Sequence, residues 1–212
     1  MDKSLKKKRI YGPDVELINR DGKALVEKTY RRRSQPVRMA GRLLVRWEAY
    51  IYSKLTGIPG IPEVMTSPDI FTITTVYMGG HHLKTRARIP DASYFERLET
   101  LIENVHQRGV IHLDLRNRRN YGMDDEGMPY LVDFASSIYT PIKGPLWRLL
   151  CRIDWMGYLK LKASLNPEIL SPEETRQYDL GNALSRLWFP SKIMHFLRRL
   201  FRRIRGRFRK SA

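Results

Sequence analysis

Cysteine is nearly missing from this sequence: Cys151 stands alone among 212 residues. No intrachain disulfide can form, and the apolar stretch around Cys151 suits a small buried hydrophobe. A reducing compartment is the expectation. Acid is scarce too, with 22 Asp and Glu against 39 Lys and Arg, a formal charge of +17. Such an excess favours anionic partners: nucleotide phosphates, an anionic lipid surface or nucleic acid. No stretch reaches the roughly 18 consecutive apolar residues of a membrane span. The basic start, residues 1–9, runs into Ile10-Tyr11-Gly12-Pro13 without the apolar region of a secretory signal. A cytoplasmic protein is therefore expected. Glycine is never arranged as G-x-G-x-x-G or G-x-S-x-G, which removes the nucleophile elbow of many hydrolases. His81 and His82 have no companions at metal-site spacing and read as loop surface. There is no Gly/Ser-rich linker and no repeat, and the length suits one compact unit or two small lobes.

A 42% hydrophobic fraction with four Trp and eleven Tyr is enough for a core. Residues 14–30 place Asn19-Arg20-Asp21-Gly22 between two apolar runs, which predicts a β-hairpin. Over 41–55, Leu43, Leu44, Trp47, Tyr50, Ile51 and Leu55 recur at helical spacing until Gly57 and Pro59 stop the run. Residues 64–77 are rich in β-branched side chains and break at Gly79-Gly80, as strands ending in a connector would. A helix is expected over 93–108, with Phe95, Leu98, Leu101, Ile102 and Val105 on one face and Gly109 as its stop. Then Val110-Ile111-His112-Leu113-Asp114 turns extended, and Asp124-Asp125-Glu126-Gly127 joins two short strands that end at Asp133. Residues 146–165 and 172–188 read as helices. Strands with one helix, followed by mostly helices, suit an α+β fold in two lobes.

Moving a phosphoryl group from ATP requires positioned charge: a cation on the phosphates, metal ligands, and an acceptor for the incoming hydroxyl's proton. His112-Leu113-Asp114-Leu115-Arg116 followed by Asp133-Phe134-Ala135 offers candidates. Over residues 14–137 the chain resembles the protein-kinase-like superfamily, most closely its small atypical bacterial members, the lipopolysaccharide-core sugar kinases and RIO-like kinases. The resemblance implies a small β-rich N-lobe over 14–80 and a reduced helical C-lobe over 81–190, preceded by a basic arm over 1–13 and followed by a basic amphipathic tail over 191–212. It implies ATP and Mg²⁺ as cofactors. Asp114 matches the catalytic-loop aspartate, and Arg116 takes the place where protein kinases usually carry Lys. His112 then braces the loop.

The loop is one residue off the H-R-D-x-x-x-x-N pattern, which would put the amide at Arg119. Either the loop carries an extra residue and Asn120 is the metal-binding amide, or the ligand is Asn117. The first is favoured because Tyr121 begins the next strand. Asp133 resembles the metal-binding aspartate of D-F-G, with Ala135 in place of glycine. That replacement is expected to limit the turn's access to positive φ. Lys28 resembles the phosphate-reaching strand lysine, with Lys23 as an exposed alternative, and Glu48 resembles its ion-pair partner. Tyr77 and Met78 resemble the hinge that holds the adenine edge, and Asn19-Arg20-Asp21-Gly22 is poor in glycine for a phosphate-covering loop.

Residues 192–210 contain nine Lys or Arg and no acid, interleaved with Ile193, Phe196, Leu197, Leu200, Phe201, Ile204 and Phe208 at helical spacing. A basic amphipathic helix suits an anionic membrane surface. Residues 145–161, with Leu146, Trp147, Leu149, Leu150, Ile153, Trp155 and Leu159, add to the same reading. The expectation is a kinase at the inner face of a membrane, acting on a hydroxyl of a glycolipid sugar or of a protein Ser or Thr. A nucleotide- or partner-binding pseudokinase is the second reading, and a nucleic-acid-binding protein the third.

Overall fold

The 14–30 hairpin forms because its turn residues supply the backbone it needs. Strands β2 (Asp14–Arg20) and β3 (Lys23–Thr29) pair antiparallel from Asp14 against Thr29 to Arg20 against Lys23. Only Asp21 and Gly22 lie between them, both left-handed at φ 53° and 77°. An Asp-Gly pair tolerates that conformation, whose twist matches that of the strands. The computed structural model describes residues 3–4, 11–83 and 89–187. Within them β1 (Lys3–Ser4) adds to β2 from the basic N-terminal arm. The tail over 191–212 lies outside the described residues.

Strands β4 (Val64–Met65) and β5 (Thr72–Val76) complete an antiparallel sheet in the order β1-β2-β3-β5-β4. Facing residues share a side, so Val15, Lys28 and Ile73 project together, as do Leu17, Val26 and Thr75. Helix α1 runs from Gln35 to Leu55, starting earlier than the apolar spacing indicates. Pro36 sits in its first turn, where a missing N–H costs nothing. The face that α1 buries holds Gly41, Val45, Glu48, Ile51, Tyr52 and Leu55. Leu43, Leu44, Trp47 and Tyr50 instead face solvent, so most of the stripe legible in the sequence is the outer one.

The helical half begins after the short strand β6 (His81–His82), so these histidines lie in a strand rather than in a loop. Helix α2 (Ala92–Gln107) is capped by Asp91, whose carboxylate accepts the Tyr94 N–H at 2.8 Å. Its Phe95, Leu98, Leu101, Ile102 and Val105 are buried as expected, and Gly109 at φ 79° ends the run. Next come β7 (Val110–Ile111), β8 (Tyr121–Met123), β9 (Pro129–Leu131) and β10 (Ile138–Tyr139). β6, β8 and β9 form one small sheet, and β7 pairs with β10. The β8–β9 connection is fixed by Asp124, whose Oδ1 accepts from the N–H groups of Glu126 and Met128.

Helix α3 (Pro145–Leu165) packs on α2 and β7 and buries Asp154, Gly157, Tyr158, Leu159 and Leu161. The chain divides at residue 170. In the second unit, α4 (Pro172–Leu187) opens on a capping box: Glu174 N–H donates to Ser171 Oγ, and Ser171 N–H donates to the Glu174 carboxylate. Among the described residues no helix is long and apolar enough to cross a membrane.

Candidate active site

Lys28 lies on the face of β3 that α1 and the 133–137 turn approach. Its ammonium donates to Glu48 Oε2 at 2.7 Å, to Glu48 Oε1 at 3.0 Å and to Asp133 Oδ1 at 2.6 Å. Burial alone lowers the pKa of such an amine, but the Glu48 and Asp133 carboxylates outweigh it and hold the group above its ordinary value. The ammonium therefore stays charged throughout the neutral range. Burial, together with the same two carboxylates, raises the neighbouring Tyr52 phenol. The alternative cation, Lys23, is exposed at the start of β3, in register with Arg20.

The catalytic-loop candidates follow β7. Asp114 Oδ2 accepts from the Asn120 side-chain amide at 2.9 Å, and the same Nδ2 reaches the Asp114 carbonyl at 2.9 Å. Asn120 is 1% exposed. With its nitrogen committed to Asp114, its carboxamide oxygen is the atom left to meet a cation. The Val132 N–H donates to the Asn120 carbonyl at 3.0 Å, which brings Asn120 beside Asp133. Asn117 is exposed, and its Oδ1 accepts the Arg119 N–H in a local turn while its amide sits 3.4 Å from Asp114. The structure thus brings Asn120, rather than Asn117, into the buried cluster. Arg116 is exposed on the loop and makes no ion pair among the described residues.

His112 is fully buried against Phe134, with ring centroids 4.6 Å apart. The Asp114 N–H faces His112 Nδ1 at 3.4 Å, and His112 Nε2 lies 3.1 Å from the Val132 carbonyl. A neutral ring protonated at Nε2 satisfies both contacts, as a brace rather than a proton carrier. Asp133 itself adopts the left-handed conformation, φ 69° and ψ 61°, and Phe134–Ser136 form a 3₁₀ turn after it. Positive φ is therefore carried by the aspartate. Ala135 is not among the positive-φ residues, so the missing glycine does not impede this turn.

Tyr77 donates its backbone N–H to the Ala24 carbonyl at 3.0 Å, which joins it to β3 and takes that donor away from an adenine edge. Met78, half-buried, carries no backbone hydrogen bond among the described residues. Its N–H and carbonyl are the hinge groups left to a base.

Asp154 was not legible as part of the site. It lies on α3, 1% exposed, and its carboxylate accepts the His112 N–H at 2.6 Å and the Leu113 N–H at 2.7 Å. His106 Nε2 lies 3.0 Å from the same carboxylate. Leu113 between these bonds has φ 62°, an uncommon conformation for a leucine. The Asp154 clamp is what holds it there. Its only signal in the sequence is an acid at Asp154 inside the apolar run of α3. One turn further on, Gly157 lies against the backbone of Leu115, whose carbonyl carbon is 2.7 Å from where a Cβ would stand. Trp47 adds a tie from α1, its indole N–H donating to the Ser137 carbonyl at 2.9 Å.

No family model matches the chain, and no curated protein matches it. Solved structures do. The Rio2 kinase of Chaetomium thermophilum in its ADP/Mg²⁺-phosphoaspartate complex aligns with a TM-score of 0.60 and 19% identity over 79% of this chain. The alignment spans 58% of that kinase chain. Another structure of Rio2 kinase from the same organism aligns with a TM-score of 0.59 and 19% identity, over 92% of this chain and 70% of that one. The fold is the protein-kinase-like one, with a small β-rich N-lobe and a helical C-lobe, as the resemblance implied.

Proposed function

We propose that this chain transfers the γ-phosphoryl group of ATP to a hydroxyl acceptor, with Asp114 as the residue that takes or orients the acceptor's proton. One observation carries the reading: Lys28, Glu48 and Asp133 meet within hydrogen-bonding distance, while Asn120 joins Asp114 to the strand that delivers Asp133. These residues are far apart in the sequence, and charge-positioning chemistry needs them together. In the reaction the acceptor oxygen bonds to the γ-phosphorus, the bond to the bridging oxygen of ADP breaks, and the acceptor's proton passes to the Asp114 carboxylate. Lys28 steers the phosphates, and Arg116 is free to swing toward the transferred group.

Asn120 and Asp133 fit Mg²⁺ by the chemistry of their donors, one carboxamide oxygen and one carboxylate, both hard ligands. When bound, the cation neutralises charge on the β- and γ-phosphates. The neighbouring kinase, solved with ADP and Mg²⁺, supports ATP and Mg²⁺ as the cofactors. For the acceptor, the reading is a sugar hydroxyl of a glycolipid or a protein Ser or Thr. The place is the inner face of a membrane, reached through the basic residues 192–210, which lie outside the described part.

Asp114→Asn and Asp133→Asn each lower ATP turnover by about a hundredfold or more in a chain that remains folded, measured by phosphate transfer from labelled ATP to membrane and soluble extracts. Full turnover in both variants rejects the assignment. A second reading, a module that binds nucleotide without transferring phosphate, is favoured by the two-residue Asp21-Gly22 turn, which leaves few backbone amides to cover phosphates. Nucleotide-dependent thermal stabilisation of the unmutated chain, without transfer to any fraction, selects it.

A further inference from the structure

Helix α1 has two faces: the inner one carries Glu48 to the site, and the outer one reaches it only through the Trp47 tie to Ser137. On the outer face Met39, Leu43, Trp47 and Tyr50 are exposed, Leu43 by 67%. The face continues into β10: Tyr50 and Tyr139 pack edge to face at 5.9 Å, and Lys54 Nζ lies over both rings at 4.8 and 5.1 Å. Arg46, Trp47, Tyr50 and Tyr139 line a shallow groove of about 410 Å³ between the two elements. Beyond Tyr139 the chain exposes Ile142, by 76%, and then Leu146, Leu149 and Ile153 along α3.

The charge of this face has one sign. The single acid in α1 is Glu48, which points inward to Lys28. Arg42 and Arg46 are exposed on α1, and Lys143, Arg148 and Arg152 flank the apolar residues that follow β10. Residues 134–153 contain no acid at all. Exposed aliphatics, interfacial Trp and Tyr, and cations without acids make up the composition that an anionic bilayer selects. Apolar groups enter the acyl boundary, rings sit at the headgroups and the cations meet lipid phosphates. A nucleic acid offers nothing to bury Leu43 or Ile142. Residues 192–210 carry nine cations and no acid, so their charge does not complement that of the face, and neither does the charge of a second copy.

We propose that the outer face of α1 and the β10 segment beside it form a docking surface for an anionic membrane, separate from the basic tail. The proposal rests on the membrane placement above only in naming the same partner, and it is independent of phosphoryl transfer. Docking here sets the outer face of α1, with the Trp47 tie to Ser137 at its edge, against the lipid, while Glu48 stays on the inner face.

The test is flotation of the full chain with vesicles of phosphatidylcholine containing phosphatidylglycerol, against vesicles of phosphatidylcholine alone. Met39→Glu/Leu43→Glu lowers the affinity for the anionic vesicles at least tenfold, at unchanged melting temperature and unchanged ATP turnover in solution. Ile142→Glu, at a loop position with no packing to lose, weakens binding in the same direction. The tail variant Arg202→Gln/Arg203→Gln/Arg205→Gln/Arg207→Gln retains a part of the binding that the α1 substitutions then remove. Equal flotation of wild type and Met39→Glu/Leu43→Glu overturns the proposal. So does complete loss of binding in the tail variant alone, or equal binding to neutral vesicles. Turnover measured without vesicles reports on the phosphotransferase reading by itself.

Discussion

Asp154 shows how much one buried carboxylate does for a loop it never joins in sequence. Two backbone N–H groups point at it from His112 and Leu113, and His106 approaches from α2. A carboxylate accepts all three because it has only acceptors. Asp154→Asn replaces one oxygen with an amide donor facing an N–H, which breaks one bond and leaves a buried donor unsatisfied. The expected cost is about 2–4 kcal/mol in urea unfolding, with a fall in phosphate transfer even where the chain remains folded, because Leu113 loses the clamp on its positive φ. Unchanged stability would remove Asp154 from this role. A sequence reader has little chance of finding it: an acid in an apolar helix is equally well read as a solvated turn of that helix.

At the scale of elements, the contact between α3 and the catalytic loop depends on a residue with no side chain. Gly157 lets the helix backbone approach Leu115, next to Asp114. Gly157→Ala adds one methyl group at a helix position where Ala is the better helix former, so propensity alone predicts stabilisation. The 2.7 Å approach decides otherwise. We expect a loss of about 1–3 kcal/mol by thermal unfolding and a larger proportional loss of transfer than of nucleotide binding, since Asp114 is the group displaced. The elements themselves were largely legible. Asp21-Gly22, Gly109 and the Asp124 turn are local signals, and the α2 stripe faces inward as its spacing says. α1 was harder, since its most apolar stripe faces out while its buried stripe is centred on Glu48. Burial there is decided by the ion pair with Lys28 on a strand that hydrophobic periodicity does not see.

For the whole molecule, the resemblance named Lys28, Glu48, Asp114, Asn120 and Asp133, and the structure brings Lys28, Glu48 and Asp133 into contact and Asn120 onto Asp114. Asp154, Gly157 and the Trp47 tie were not anticipated, because each acts through another residue and carries no chemistry of its own. The convergence has a thermodynamic consequence. Lys28 holds Asp133 at 2.6 Å, and on the reading proposed above ATP draws the ammonium toward its phosphates while a cation takes over Asp133. Mg²⁺ with ATP should therefore raise the melting temperature by several degrees more than ATP with EDTA, measured by differential scanning fluorimetry. Asp133→Asn should abolish that difference. Equal shifts with and without Mg²⁺ would exclude Asp133 as a ligand.

The tie between Lys28, Glu48 and Asp133, taken with Asp114, also sets one ammonium against three carboxylates within a molecule whose formal charge is +17. At this cluster carboxylates outnumber the ammonium, with the exposed Arg116 on the neighbouring loop, on a body that is cationic overall. Polyanions are drawn to the surface at long range and turned away at the last few ångströms unless a divalent ion accompanies them. Rising ionic strength weakens the long-range half of this filter first, because the screening length falls to about 8 Å at 0.15 M while groups in contact are barely screened. Salt should thus slow nucleotide capture while leaving the preference for the metal-bound nucleotide intact.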